Sequence, residues 1–404
     1  MTVNIEKSTA SGRVKAPPSK SMAHRYLICA ALSQGSTVKG LDFSRDITAT
    51  LNCLKALGAK TEVIDNTVKI GKIDINKAPR NTTLFCDESG STLRFLLPIC
   101  LLFDEEITLT GSERLFKRSL SVYEQICDSQ GLYFAQEGNK VTVKGRLSAG
   151  RYEVQGDISS QFISGLMFAL SLLENDSEIN IMGNIESGSY LSLTIKALAD
   201  FGVRVSRIDE HCILVKGNQS YKKRSLAVEG DYSNAAFFAA LNLFGSNVLV
   251  TGLDSNSAQG DRVYKKIFQE LNKKKTTVDI SDCPDLGPIF MAVAAAKHGA
   301  VFTGTKRLKI KESDRGESMK QELLKLGCKV KTEENKITVS KSNLKTPTEF
   351  ICGHNDHRIV MAMAVLLTLV GGKIMGAEAV AKSFPAFFEE LARLGIRVEK
   401  YEVN

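Results

Sequence analysis

Hydrophobic positions recur along the 404-residue chain with a slow period. Six stretches are apolar on nearly every helical face, and each follows small polar or acidic residues. They are SMAHRYLICAAL from Ser21, STLRFLLPICLL from Ser91, SQFISGLMFALSLL from Ser160, SNAAFFAALNLF from Ser233, DLGPIFMAVAAA from Asp285 and DHRIVMAMAVLLTLV from Asp356, spaced by 70, 69, 73, 52 and 71 residues. A helix without a polar face has to be buried, so each stretch predicts an interior helix.

A second series keeps the same period. Amphipathic segments end at Gly58, Gly131, Gly202, Asn272, Gly327 and Gly395, at intervals of 73, 71, 70, 55 and 68 residues, and a basic or β-branched run follows each. This pattern predicts a helix stopped by a left-handed Gly or Asn and then a strand. The repeating unit is a buried helix, strands, an amphipathic helix, a stop and a strand. Six units make an α/β chain that divides as three plus three, with a boundary near Val228-Glu229-Gly230. The opening TVNIEKSTA reads as a strand that pairs with the C-terminal half. The expected domains are therefore residues 1–18 with 229–404, and an inserted domain of residues 19–228.

Composition narrows the class. With 43% hydrophobic, 24% charged and 7% aromatic residues, the chain is an ordinary globular protein, neither disordered nor collagen-like. Its longest apolar run, Ile359 to Val370, has twelve residues and is broken only by Thr368, short of the roughly 18 that a spanning helix needs. The first twenty residues hold no apolar signal core, so a cytoplasmic protein is expected. Nine cysteines lie far apart without a CxxC pair, which reads as reduced core residues and no structural zinc. The net charge of +8 does not choose between nucleic acid, an acidic surface and small anions. Lys273-Lys274-Lys275 reads as a solvated helix end. Without tryptophan and with few aromatics, the chain has little for bases to stack on.

The helix starts carry the candidate chemistry. Ser21, Ser91, Ser160 and Ser233 could simply cap their helices, as could Asp285. The positive end of a helix dipole is also a ready anion site, and here cations accompany it. Lys20 and Arg25 flank Ser21, Gly90 allows close backbone approach beside Arg94, and His357 with Arg358 occupies another first turn. A cation at the mouth of a buried helix needs an anion, supplied either by an internal salt bridge or by a bound phosphate or carboxylate.

At these residues the chain resembles a known family. PPSKSMAHR, ESGSTLRFL, LTGSERLFKR, GDISSQF, ESGSYLSLT, EGDYSNAAF, CPDLGPIF, KESDR, GHNDHR and AKSFP occur in the order and spacing of the 5-enolpyruvylshikimate-3-phosphate synthases, enolpyruvyl transferases of the shikimate pathway. The resemblance covers nearly the whole chain. It implies a two-domain inside-out α/β barrel fold with six repeats of a βαβαββ-type unit, three per domain, whose buried helices point their N-termini at an interdomain cleft. It also implies addition of the 5-hydroxyl of shikimate 3-phosphate to C2 of phosphoenolpyruvate, then loss of phosphate. No metal or organic cofactor is expected, because the work is charge neutralisation and proton transfer. The expected partners are those two small anions, with no nucleic acid and no membrane, and the expected state is a monomer.

By the same resemblance, Lys20 contacts both substrates. Ser21, Arg25, Ser159, Ser160, Gln161, Ser187 and Tyr190 hold shikimate 3-phosphate. Gly90, Arg118, Gln161, Arg315, Arg358 and Lys382 surround phosphoenolpyruvate. Asp285 is the base toward the 5-hydroxyl, and Lys311 and Glu312 handle the proton at the reacting centre; Asp285 and Lys311 also touch shikimate 3-phosphate. His357 is supporting. Two positions depart from the usual bacterial pattern, Glu88 in place of Asn and Arg307 in place of Asn. The nearest alternative is the sister enolpyruvyl transferase acting on UDP-N-acetylglucosamine, which carries a reactive Cys in a mobile loop; no cysteine here stands in a basic loop. A non-catalytic basic repeat protein that binds nucleic acid would explain the charge and the repeats. It leaves Asp285, Lys311 and Glu312 without a task.

Overall fold

In the computed structural model, which describes residues 1–77, 82–156, 158–183 and 188–401, the six apolar stretches form six inner helices. These are Lys20–Leu32, Gly90–Cys100, Ser160–Leu170, Tyr232–Leu243, Gly287–Ala296 and His357–Leu367. In the last, every residue from Ile359 to Leu367 is fully buried. Burial of a helix on all sides requires neighbours all round, and other helices supply them together with the sheets. Strands such as Lys140–Lys144 bury Val141 and Val143 and expose Lys140 and Lys144, the alternation of a sheet with one face on a core. Helices inside and sheets outside follow directly from the two periodicities.

The chain divides into two units, Met1–Pro17 with Gly230–Asn404, and Pro18–Glu229. The Pro18–Glu229 unit has three four-stranded sheets of one design. A strand that enters an inner helix pairs in parallel with the strand that leaves it, as Thr82–Phe85 does with Ile107–Thr110. The leaving strand then pairs antiparallel with the second strand of a hairpin, as Ile107–Thr110 does with Lys140–Lys144. Where the chain passes between units the entering strands are exchanged. Ser11–Lys15 precedes the first inner helix in sequence yet pairs with Asn247–Thr251, while Ser225–Ala227 pairs with Ser36–Lys39.

In the other unit the first strand, Thr2–Ile5, lies between Gly372–Met375 and Val398–Tyr401. The N-terminus thus completes a sheet of the C-terminal half, as its sequence suggests. The fourth repeat is the exception. Its sheet has only the strands Asn247–Thr251 and Ser11–Lys15, because the helix Tyr264–Lys273 runs straight into Thr276–Asp279 without a hairpin. That missing hairpin accounts for the short intervals of 52 and 55 residues.

Five of the six expected stops are left-handed: Gly58, Gly131, Gly202, Gly327 and Gly395 all have positive φ. Asn272 corrects the sixth. It lies inside the helix, and Lys274 leaves it in extended geometry, since a chain entering a strand directly needs no left-handed turn. Lys273, Lys274 and Lys275 are exposed. No helix among the described residues is long and apolar enough to cross a membrane, and all nine cysteines are free thiols.

Candidate active site

None of the four serines expected to cap the inner helices does so. Ser19, Ser89, Ser159 and Asp231 accept from backbone N–H groups two or three residues on. Ser21, Ser91 and Ser233 therefore fall inside the first turn, and Ser160 is the first helical residue. The motifs SKS, SGS and DYS pair a cap with a second hydroxyl two residues on. The cap accepts from one free N–H, so the second hydroxyl can turn to side chains, as Ser91 does toward Gln161 and Ser233 toward Asp261. Asp285 is no cap either: it sits in a 3-10 turn, Pro284–Leu286, and its carboxylate faces cations.

In the Pro18–Glu229 unit, two clusters form at these helix starts. Lys20 donates to Asp46 at 2.7 Å. Arg25, 2% exposed, donates through Nε to Thr194 at 2.8 Å, through one terminal nitrogen to the Ser21 carbonyl at 2.6 Å and through the other to the Tyr190 carbonyl at 3.1 Å. Its guanidinium also stacks over Phe95. All three oxygens are neutral. Burial lowers Arg25 to about 10, against small opposing contributions from Tyr190 and Cys29. The second cluster surrounds Gly90. A Cβ there would lie 2.7 Å from an Arg118 terminal nitrogen, 3.1 Å from Arg94 and 3.5 Å from the Gln161 amide oxygen, so only glycine lets these groups close on the helix start. Arg94 donates to Gln161 Oε1 at 2.9 Å, and Gln161 donates to the Ser91 hydroxyl at 3.0 Å. Gly90, Arg118 and Gln161 are thus brought together as expected, with Arg94 beside them. Ser187 lies outside the described residues.

The other unit builds its cluster on Arg315, 1% exposed at the start of helix Arg315–Lys325. It donates to Asp285 at 2.8 Å, to Glu312 at 2.7 Å and to Asp356 at 2.9 Å. Asp356 is itself fully buried, caps the sixth inner helix at the Arg358 N–H and accepts from Ser313. Lys311 reaches Asp285 at 3.2 Å, and Arg358 lies 3.8 Å from its other oxygen while donating to Asn234. Lys382 donates to the Asn355 carbonyl at 2.6 Å. His357 is buried with Nδ1 4.0 Å from Asp356. Ser233 donates to Asp261.

Burial alone would push the Asp285 carboxyl up. Lys311, Arg315 and Arg358 outweigh it and hold it well below the usual range. Burial likewise lowers Lys311, helped by Arg307 and Arg315 and opposed by Asp285 and Glu312. Arg315 goes the other way: burial would lower it, but Asp356, Glu312 and Asp285 hold it well above its ordinary value. Asp285, Lys311 and Glu312 remain about a fifth exposed while Arg315 is enclosed. The arrangement keeps an accessible carboxylate ionised beside an accessible ammonium, and the buried guanidinium holds both carboxylates in place.

Sequence reasoning placed the cations and missed their carboxylate partners Asp46 and Asp356, and also Thr194 and Asn234. Asp46 gave one usable signal, an acidic residue in the first turn of the helix Arg45–Ala56. Among the described residues, no group of three or more His, Cys, Asp or Glu is placed to hold a metal ion.

Comparison with known proteins gives the same answer along the chain. The family model described as EPSP synthase (3-phosphoshikimate 1-carboxyvinyltransferase) matches residues 5–391. A 3-phosphoshikimate 1-carboxyvinyltransferase of Clostridium kluyveri is 41% identical, covering 100% of this chain and 99% of its own. One of Clostridioides difficile is 37% identical with the same coverage. The solved EPSP synthase of Acinetobacter baumannii superposes with a TM-score of 0.80 at 23% identity, over 99% of this chain and 100% of that one, and so shares the inside-out α/β fold. With helices inside, sheets outside and the family pattern matched from residue 5 to residue 391, the chain belongs to the EPSP synthase family.

Proposed function

We propose that this chain transfers the 1-carboxyvinyl group of phosphoenolpyruvate to the 5-hydroxyl of shikimate 3-phosphate and releases inorganic phosphate, a step toward the aromatic amino acids. The observation that carries the reading is the Arg315 cluster, in which Asp285 is ionised, accessible and flanked by Lys311 and Glu312.

In this reading Asp285 takes the 5-hydroxyl proton as that oxygen bonds to C2 of phosphoenolpyruvate. The Lys311–Glu312 pair delivers a proton to C3 in the same step, which gives a tetrahedral ketal. The pair then removes a proton from the new methyl group as the C2–O bond to phosphate breaks. A carboxylate held this far down is a weak base while its cations stay on it. The carboxylate and phosphate of phosphoenolpyruvate compete for Arg315 and Arg358, so substrate binding itself restores basicity to Asp285.

Lys20, Ser21, Arg25, Ser159, Ser160, Gln161, Ser187 and Tyr190 serve shikimate 3-phosphate. Arg25 supports this assignment, being a buried cation held by neutral oxygens and, among the described residues, without a carboxylate partner. Lys20, Gly90, Arg118, Gln161, Arg315, Arg358 and Lys382 serve phosphoenolpyruvate, with Gly90 leaving room for the Arg118 guanidinium. Arginine suits both tasks, since its planar fork binds carboxylate and phosphate bidentately.

The test is phosphate release from phosphoenolpyruvate with shikimate 3-phosphate or UDP-N-acetylglucosamine as acceptor. Release only with shikimate 3-phosphate supports the reading. Release only with the nucleotide sugar moves the chain to the sister activity, and release with neither defeats the reading.

A further inference from the structure

The helix Arg315–Lys325 touches the segment before the sixth inner helix at two points, and only the first belongs to the cluster already described. Seven residues after Arg315, on the same side of the helix, Glu322 is 1% exposed. Its Oε1 accepts from His354 Nε2 at 2.7 Å. Its Oε2 accepts from the Cys352 backbone N–H at 2.9 Å and from Lys325 at 2.7 Å. Burial would push this carboxyl up, but His354, Lys325 and the Cys352 N–H hold it below its ordinary value.

What Glu322 grips is a strained turn. His354 and Asn355 are consecutive non-glycine residues in the left-handed region, with φ of 49° and 51°. L-residues reach that region at a cost and stay there only when the surroundings hold them. Gly353, just before, packs so closely that a Cβ would lie 2.8 Å from the Gly376 carbonyl. The turn cannot relax in that direction.

The turn also aims three groups at once. The Asn355 carbonyl holds Lys382. Asp356 holds Arg315 and caps the helix. Arg358 follows in the first helical turn. Arg315 and Ser313 hold the turn at Asp356, and the Gly353 N–H pairs with the Met375 carbonyl. Glu322, seven residues along the same helix as Arg315, adds a hold on His354 itself.

We propose that Glu322 and His354 are positioning residues, a clamp that holds the left-handed turn 354–355 so that Lys382, Arg315 and Arg358 converge on phosphoenolpyruvate. The inference rests on the proposed assignment of those three cations.

The test uses the full chain. Glu322→Gln and His354→Ala should each raise KM for phosphoenolpyruvate about tenfold while kcat and KM for shikimate 3-phosphate stay within about twofold, since misplacement by a fraction of an ångström is costly only where the turn reaches. Adding Asn355→Gly to His354→Ala should recover part of the loss, because glycine takes the left-handed region freely. Lys325→Ala, which removes a partner of Glu322 that reaches the Phe350 carbonyl upstream and not the turn itself, should leave both KM values within about twofold. Amide exchange across residues 353–358 should quicken in the clamp variants and not in Lys325→Ala. A lowered melting temperature with both KM values unchanged, or equal rises in both, overturns the proposal. If Glu322→Gln does not fold, His354→Ala decides. If the wild-type chain releases no phosphate with shikimate 3-phosphate, the functional reading fails, and amide exchange alone decides whether the clamp exists.

Discussion

Two buried arginines, Arg25 and Arg315, divide the protein's chemistry between its units. Arg315 donates to three carboxylates, whereas Arg25 donates to a hydroxyl and two carbonyls. Their ionisation follows: carboxylates hold Arg315 above its ordinary value despite burial, and burial lowers Arg25. A neutralised cluster is made for proton transfer, because its carboxylates must stay charged and in place. A cation held by neutral groups lacks an anion until a ligand brings one. In the proposed function the unit of residues 18–229 therefore binds, and the other binds and reacts.

The sharpest break in that contrast is at Asp285. Asp285→Ala should lose about 10²- to 10⁴-fold in kcat, the usual contribution of a positioned base, while KM for both substrates moves by only a few fold. Equal losses in kcat and in affinity would reduce Asp285 to a charge partner for Arg315 and remove the reacting role from its unit.

The next effect compares the arginines directly. Arg315→Met leaves Asp285, Glu312 and Asp356 without their common cation, and breaking such a buried pairing costs about 3–5 kcal/mol. Arg25→Met removes a buried cation that no carboxylate among the described residues neutralises, so its stability should stay within about 1 kcal/mol of wild type. Its KM for shikimate 3-phosphate should nonetheless rise by about 10²-fold, as expected when a charged hydrogen-bond donor to a phosphate is lost. Denaturant midpoints and KM values measured side by side decide the matter. Equal destabilisation by the two substitutions would show that Arg25 is as structural as Arg315.

Much of this contrast could be read from the sequence on one side only. The inner helices were legible because a run such as Ile359 to Leu367 has no polar face, and the stops because Gly58 or Gly395 permits the left-handed turn before a strand. Asn272 misled because its residue type suits such a turn, while the missing hairpin of the fourth repeat leaves no turn to make. Ser21 and Ser91 misled because Ser19 and Ser89 offer the same capping chemistry two residues earlier. Lys20, Arg25, Arg94 and Arg358 stand out at helix mouths, where a buried cation demands an explanation, while Arg315 comes from the family resemblance alone. Their partners did not stand out. Asp356 lies 41 residues from Arg315 and Thr194 lies 169 from Arg25, and no local periodicity connects such pairs. Whether a cation meets carboxylates or carbonyls is decided by the tertiary fold, and that is the feature on which the two units differ.

The smallest effect tests the converse of Arg25. Where one unit leaves a buried cation short of anions, the other crowds its carboxylates. Asp261 is pushed up to about 7 by burial and then by Asp285, with Asp231 adding to the rise, while the Ser233 hydroxyl and Arg358 oppose it. Its ordinary unfolded value is about 3.9. Between those values the folded chain holds a proton that the unfolded chain has released. Stability therefore falls as pH rises from about 4 to about 7, and the full cost remains above 7. Asp261→Asn keeps the shape and an acceptor for Ser233 but cannot ionise, so the variant should gain on wild type across that window and hold a constant advantage above it, of about one to a few kcal/mol. Asp285 and the other depressed carboxylates have the opposite slope and are common to both chains, so the difference between the two pH–stability curves reports Asp261 together with its coupling to Asp285. Parallel curves would mean that Asp261 is already ionised in the folded chain, with Arg358 and Ser233 outweighing burial. The carboxylate unit would then be balanced rather than crowded, and the mirror-image relation to Arg25 would be lost.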